Sequence, residues 1–175
     1  MTAQYPKDLR SPSQRAIDKI TFSEHFRLTA GKSQVHSPNS HDSIRSRLTH
    51  TLEVSRVGSS LARIILSKIQ HSHPELNWFR MNENVIDAVT AGCLMHDIGN
   101  PPFGHEAERG IRQYLRSEKG ADLLSDLSEQ EKIGFLCFNG NMQALHIALN
   151  TGWRGHMNLS PETLASFCKY PWPAQ

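Results

Sequence analysis

The sequence has few cysteines, no long hydrophobic run and no alternating strand pattern, and each absence excludes a class of protein. Its three cysteines are odd in number and form no CxxC pair, which argues against a disulfide framework or a zinc knuckle and favours a reducing compartment. The apolar runs are only a few residues long, and no cationic-then-apolar leader opens the chain. We therefore predict a cytoplasmic protein with no membrane contact.

The remaining composition is ordinary for a globular domain. The 175 residues are 38% hydrophobic and 21% charged, which suffices for one buried core. Apolar residues recur at three- and four-residue intervals, a pattern typical of helices. We predict an all-α protein with a flexible arm over residues 1–13 and a short helix near 14–26. Longer helices are predicted at about 44–70, 83–98, 105–118, 129–151 and 161–169.

Basic residues are concentrated in the first quarter of the chain. Residues 1–47 hold eight Lys and Arg against four acids. Two explanations of this excess are equally good. One is a solvated basic face, and the other is a role in binding polyphosphate or single-stranded nucleic acid. Arg45 and Arg47 differ from the rest because they lie within two turns of His50.

Two histidines and a carboxylate form the most informative pattern of the sequence. We expect His50 and His96 each to extend a buried apolar stripe of its own helix, with Asp97 about 100° further round. The two stripes are Val54, Val57, Leu61, Ile64 and Ile65 after His50, and Val85, Val89, Gly92 and Cys93 before His96. Either histidine alone could be a hydrogen-bonded core residue. Two imidazoles with a carboxylate favour a mixed N/O site for a divalent metal.

The segment after Asp97 is expected to bring a second pair of residues close to this site. Over residues 99–104, two prolines restrict the backbone and two glycines permit a tight turn into the next helix. The N-terminus of the next helix is therefore expected near the metal site, and a helix N-terminus favours anions. His105 and Glu108 share a face of its first turn, where the carboxylate can orient the imidazole. Dipole compensation is the better explanation for Glu106.

Four segments resemble the deoxyguanosinetriphosphate triphosphohydrolase (dGTPase) family of HD-domain phosphohydrolases in order and spacing. They are residues 45–54, 94–108, 138–143 and 169–172, and the likeness runs from about Phe26 to the C-terminus. The block 94–108 is far more specific than a bare His-Asp dipeptide. The resemblance implies that residues 14–175 are the N-terminal part of an HD-domain helical bundle, incomplete at the C-terminus. The family's fourth metal ligand, a late Asp, would lie beyond the last segment.

The resemblance also implies an activity and a set of site residues. Deoxynucleoside triphosphates, dGTP above all, would be hydrolysed to deoxynucleoside and tripolyphosphate. Mg²⁺ or Mn²⁺ would be held by His50, His96 and Asp97, and His105 would act as general acid or base with Glu108 as its partner. The implied substrate contacts are Gln34 at the deoxyribose, with Arg47, Asn141, Lys169 and Tyr170. A structural role explains Lys169 nearly as well, because a cation near a helix C-terminus can bind the last backbone carbonyls.

Departures from the family pattern leave the base preference open. Asn139 stands where the family usually has Glu, and His146 where it usually has Arg. We expect the chain alone to be a poor enzyme and the complete protein to be a homo-oligomer. Two alternatives stay open: another HD-type enzyme such as a nucleotidase or phosphodiesterase, and an inactive module that binds nucleotide or single-stranded nucleic acid.

Overall fold

The computed structural model of the chain describes residues 8–32, 45–75, 78–150 and 157–168, without the side chains of residues 78–81. Within these ranges the chain forms nine α-helices and no strand, which confirms the predicted all-α class. A 3₁₀ turn at Thr29–Gly31 follows the second helix. The helices are α1 (Pro12–Thr21), α2 (Glu24–Leu28), α3 (Arg47–Ser72), α4 (Trp78–Met95), α5 (His105–Leu115), α6 (Glu118–Leu123), α7 (Glu129–Leu136), α8 (Gly140–Asn150) and α9 (Pro161–Phe167).

Serine caps set most of the helix starts. In each case the serine side chain accepts a hydrogen bond from a backbone N–H three residues later, which satisfies a donor that the helix leaves unpaired. The capping serines are Ser11, Ser23, Ser46, Ser117, Ser128 and Ser160. Because of these caps, some helices begin at residues other than those predicted from the sequence. The first helix begins at Pro12 and is divided from α2 by the cap at Ser23. The predicted arm lies largely outside the described residues and stays a prediction.

One segment predicted as a single helix ends early and another is divided in two, so the predicted bounds of the first and the continuity of the second were wrong. Helix 105–118 ends at Leu115, and Ser117 caps the short α6. Helix 129–151 is broken between α7 and α8. The break is stabilised from α5: Arg112 donates to the carbonyl of Phe138 at 2.7 Å, and Arg116 to that of Leu136 at 2.9 Å. Carbonyls at a helix end need such donors.

Helix α4 lies at the centre of the core. Its residues Leu94 and Met95, and Ile98 just beyond, are nearly inaccessible to solvent. Burial of each such side chain contributes about 1.5–3 kcal/mol. A Cβ at Gly92 would overlap the Ser166 side chain, so α9 packs closely against α4. The remaining buried members of this core are Ala16, Ile20, Phe26, Ala91, Ala144, Ile147, Ala148, Met157 and Phe167.

Helix α3 packs on α4 through a face that differs from the predicted stripe. The side chains of Val57, Leu61, Ile64 and Ile65 are 52–59% exposed, so the predicted burial of that stripe was wrong. The buried face carries smaller or polar residues instead: Arg47, Thr51, Ser55, Ser59, Ala62 and Leu66. Small side chains bring the two backbones close together. A Cβ at Gly58 would overlap the Cys93 sulfur. Close approach, rather than apolarity, decides which face of α3 meets α4.

None of the helices in the described ranges combines the length and the apolar character needed to cross a bilayer.

Candidate metal centre

His50, His96 and Asp97 come together at one end of the α3–α4 pair. One ligand atom from each residue lies within 4.8 Å of the others. His50 belongs to the first turn of α3, whereas His96 and Asp97 follow directly after the last residue of α4. The two imidazole rings meet edge to face, with centroids 5.4 Å apart. Both histidines are about one third exposed and Asp97 is buried. The cluster is therefore open on the histidine side.

The hydrogen bonding of His96 leaves one ring nitrogen available for a ligand. Its Nδ1 lies 2.6 Å from the carbonyl oxygen of Cys93. A carbonyl oxygen can only accept, so Nδ1 is the donor of this hydrogen bond and Nε2 is the ring nitrogen left for a ligand. That Nε2 is the atom that lies toward the carboxylate, 3.6 Å from Oδ1 of Asp97. Fixing the tautomer through the other ring nitrogen is how proteins prepare a metal-binding histidine.

Both oxygens of Asp97 are held by polar neighbours. Oδ2 lies 2.9 Å from Nη1 of Arg47, and both side chains are almost fully buried. Oδ1 accepts a hydrogen bond from Nδ2 of Asn100 at 2.5 Å. His50 Nε2 is 4.0 Å from the same Oδ2. The carboxylate is thus fixed in orientation by Arg47 and Asn100, two residues whose direct contact with it the sequence pattern did not predict.

Lys32 stabilises the chain segment after the cluster. Its Nζ donates to the backbone carbonyl of Asn100 at 3.0 Å and lies 3.5 Å from that of Ile98. Burial lowers the pKa of Lys32 from its ordinary value, and the nearby Arg47 charge adds to this, while Asp97 opposes it. Backbone carbonyls at a helix end accept readily from a lysine. The segment 98–100 is therefore tied both to α4 and to the 3₁₀ turn before residue 32.

The loop that leads to α5 brings its N-terminus next to Arg47. Phe103 and Gly104 both have positive φ values, 67° and 57°, so the chain turns sharply there. A Cβ at Gly104 would lie 3.0 Å from Nη2 of Arg47. Through its two terminal nitrogens, Arg47 therefore reaches both Asp97 and the residue that precedes His105.

His105 and Glu108 form a pair on the first turn of α5. His105 Nδ1 lies 3.1 Å from Oε2 of Glu108, and their side chains are 84% and 3% exposed respectively. The buried carboxylate also accepts a hydrogen bond from the backbone N–H of Gly140 at 2.9 Å, and Arg112 lies 3.8 Å away. A fixed acceptor at Nδ1 directs the Nε2 edge of an exposed imidazole toward solvent, as a general acid or base requires.

An apolar cleft lies beside His50. Its volume is about 440 Å³, and His50 lies at its border. The cleft contains part of the exposed α3 stripe, because Val57 and Leu61 belong to its wall. The remaining lining residues are Arg45, Glu53, Val54, Gly58 and Cys93. Burial raises the pKa of the Cys93 thiol, which favours its neutral form.

The other predicted substrate contacts are only partly covered by the described residues. Arg47 is buried against the cluster. Asn141 lies in the first turn of α8, where its backbone N–H donates to the side chain of Asn139 at 2.9 Å. Gln34, Lys169 and Tyr170 lie outside the described residues. The roles of all five stay predictions.

The basic residues of the first quarter have internal partners. Each of the seven within the described ranges contacts a carboxylate or a backbone carbonyl of the chain itself. They are Arg10, Arg15, Lys19, Arg27, Lys32, Arg45 and Arg47. These contacts favour a structural role for the basic excess, and nucleic-acid binding stays a prediction.

Comparison with known proteins identifies the family. The family model of the HD domain matches residues 47–162, about two thirds of the chain. This match includes all three residues of the cluster and the His105–Glu108 pair. The chain belongs to the HD domain family. The predicted HD-domain bundle is therefore confirmed.

Curated relatives share the sequence over nearly the whole chain. A deoxyguanosinetriphosphate triphosphohydrolase-like protein of Pseudomonas aeruginosa is 37% identical over 169 residues, covering 95% of this chain. Proteins of the same description from Synechocystis and Listeria monocytogenes are 38% and 32% identical over 93% and 94% of the chain. This HD-domain chain spans 37–38% of the length of these relatives.

Proposed function

We propose that this chain carries the metal-binding and acid–base part of a dNTP triphosphohydrolase. The observation that carries the proposal is the cluster of His50, His96 and Asp97 beside the His105–Glu108 pair. The 37% identity to a deoxyguanosinetriphosphate triphosphohydrolase-like protein supports dGTP as substrate. A deoxynucleoside and tripolyphosphate are the expected products.

The donor set fits a divalent cation. Two imidazole nitrogens and a carboxylate oxygen lie within 4.8 Å of one another, and such mixed N/O sets suit Mn²⁺ and related ions, with Mg²⁺ depending more on carboxylate and water. A bound cation neutralises phosphate oxygens and lowers the pKa of water. Asp97 would supply its oxygen and His96 its unprotonated Nε2. His105, with Nδ1 held by Glu108, would move the proton at its exposed Nε2.

Arg47 is the proposed contact to a phosphate oxygen. Among the described residues its buried Nε has no hydrogen-bond partner. A buried donor without a partner is costly, and a phosphate oxygen that reached this nitrogen would supply the missing acceptor. The same guanidinium contacts Asp97 through Nη1, and this contact supports a position beside the proposed cation. Asn141, Gln34, Lys169 and Tyr170 are proposed as further contacts to substrate on the family resemblance alone.

Metal binding and product identity test this proposal. We expect Mn²⁺ to bind the 175-residue chain in calorimetry and His50→Ala to remove most of the affinity, with helical content unchanged because His50 is partly exposed. Incubation with dGTP and Mn²⁺ should release tripolyphosphate, slowly compared with the roughly 1 s⁻¹ lower range of ordinary enzymes. Mn²⁺ binding that survives loss of either histidine would refute the metal site. Orthophosphate as the first product, or cleavage of cyclic nucleotides, would indicate another HD-type phosphohydrolase.

A further inference from the structure

Asn100 lies between the two halves of the proposed site. Its side-chain Nδ2 donates to Oδ1 of Asp97 at 2.5 Å. Its backbone N–H donates to the carbonyl of Asp97 at 3.2 Å, and its own carbonyl accepts from Lys32 at 3.0 Å. Three hydrogen bonds therefore fix this residue, and its amide holds one oxygen of the Asp97 carboxylate while Arg47 holds the other.

The other side of the Asn100 amide rests on the first residue of α8. A Cβ at Gly140 would overlap Oδ1 of Asn100 and would lie 2.8 Å from Oε1 of Glu108. Only glycine leaves enough room at this position. Gly99 also lies very close to the start of α8, because a Cβ at Gly99 would overlap the carbonyl oxygen of Gly140. Backbone atoms of the 99–100 segment and of α8 thus pack directly against each other.

Gly140 is also bonded to the acid–base pair. Its N–H donates to Oε1 of Glu108 at 2.9 Å, and the other oxygen of that carboxylate lies 3.1 Å from Nδ1 of His105. Arg112 donates to the carbonyl of Phe138, two residues before Gly140, at 2.7 Å. The start of α8 is therefore fixed from α5, and it contacts Asn100 and Glu108 at once.

We propose that Asn100 is a positioning residue which, through Gly140, sets the orientation of Asp97 relative to the His105–Glu108 pair. The path consists of contacts in sequence: Asp97 to Asn100, Asn100 to Gly140, Gly140 to Glu108, and Glu108 to His105. Neither Asn100 nor Gly140 has to touch substrate. Residues that hold a metal ligand in place change metal affinity by about 10- to 100-fold when they are lost.

This inference rests on the proposed function, and metal affinity gives a readout that does not require turnover. In Mn²⁺ calorimetry of the 175-residue chain, Asn100→Ala should weaken binding by about tenfold. Asn100→Leu, which keeps a similar branched shape but has no donor, should weaken it as much. If the residue only fills space, the Leu variant will bind Mn²⁺ like the wild type, and the proposal is wrong.

Gly140→Ala tests the other end of the path. We expect it to weaken Mn²⁺ binding and also to remove the Nδ1–H signature of His105 in nitrogen-15 NMR of the imidazole ring, because Glu108 must move. The Asn100→Ala/Gly140→Ala double variant should lose less than the two single effects combined, since both act on one contact. Gly110→Ala and Gly134→Ala are matched controls, because an added Cβ meets nothing within 4 Å at either site.

The outcomes separate this inference from the function on which it rests. Wild-type chain that does not bind Mn²⁺ would refute the proposed metal site and the inference with it. Wild-type binding together with unchanged affinity in Asn100→Ala would overturn the inference alone, even if Gly140→Ala does not fold. Additive effects of Asn100→Ala and Gly140→Ala would show that the two residues act separately, which also contradicts the path.

Discussion

Arg47 and Asp97 form an ion pair that is buried on both sides. Nη1 of Arg47 lies 2.9 Å from Oδ2 of Asp97, and the side chains are 3% and 8% exposed. Among the described residues no other ion pair has both members so fully buried. Such charges lose their hydration on folding and depend on each other for compensation. The pair joins the start of α3 to the end of α4, the two elements that supply the candidate metal ligands.

Replacing Arg47 by Gln should therefore destabilise the fold. The buried Asp97 carboxylate would lose its counter-charge, and breaking a buried pair in this way costs about 3–5 kcal/mol. Urea unfolding followed by circular dichroism measures the change. Added Mn²⁺ should recover part of the loss, because a cation that binds only the folded state stabilises it and supplies the missing positive charge.

Arg10→Gln is a control for that experiment. Arg10 also contacts two carboxylates, Asp8 and Asp18, but all three side chains are well exposed. Exposed ion pairs contribute little to stability, so this variant should unfold at nearly the wild-type urea concentration. If Arg47→Gln behaves in the same way, the buried pair does not stabilise the structure as argued.

The sequence predicted the helical class and the short-range parts of the site because these depend on local spacing. His96, Asp97, His105 and Glu108 lie within one stretch of thirteen residues. The orientation of α3 was predicted wrongly because its apolar residues do not mark its buried face. Which face packs depends on how closely α4 approaches, and small residues such as Ser55 and Ser59 decide that.

The exposed stripe of α3 leads to a prediction about solubility. Ile64 is 53% exposed, so Ile64→Glu should change the free energy of unfolding by no more than about 0.5 kcal/mol. Glu at this position can pair with Lys68 one turn later. The variant should also aggregate less, since it interrupts an exposed apolar surface. Urea unfolding and light scattering check the two effects.

Leu66 provides the matched comparison on the opposite face of the same helix. It is only 8% exposed and belongs to a cluster with Ala62 and Ile86. Leu66→Ala should lower the free energy of unfolding by about 2–5 kcal/mol. The predicted order, a tolerated change at Ile64 and a costly one at Leu66, would be reversed if the sequence-based stripe were the buried face.

The contacts that complete the site are tertiary, and this is why the sequence did not predict them. Asn100 was visible in the motif, and its spacing of three from Asp97 permits a hydrogen bond. Its contact with Gly140 spans 40 positions of the numbering. The interactions of Arg112 with Phe138 and of Lys32 with Asn100 likewise join distant segments. Local periodicity contains no information about such pairs.

Asp87 on α4 should make stability depend on pH. Burial raises its pKa from the ordinary 3.8, and the nearby Glu83 adds to this while Arg63 opposes it. Because the folded chain holds this proton more tightly than the unfolded chain does, the stabilising contribution is complete below pH 3.8 and is lost as the pH rises through the raised pKa. Asp87→Asn should therefore raise the thermal midpoint at pH 7. The difference should shrink toward zero in acid, and an equal difference at every pH would contradict this account.

His105 should be essential for turnover without affecting the fold or the metal. Its side chain is 84% exposed, so His105→Ala removes no packing. In a form of the protein that hydrolyses dGTP, kcat should fall by roughly 10²- to 10⁴-fold, the usual range for loss of a positioned acid or base.

Glu108→Gln should act in the same direction but more weakly. Its amide oxygen can still accept from Gly140, whereas its amide nitrogen would meet the N–H of His105 Nδ1. Glu106→Gln, an exposed change on the same turn, is the control and should leave kcat unchanged. Steady-state kinetics and Mn²⁺ calorimetry on the same preparations separate the roles, since a loss of bound metal in His105→Ala would make this residue a ligand and not the acid or base.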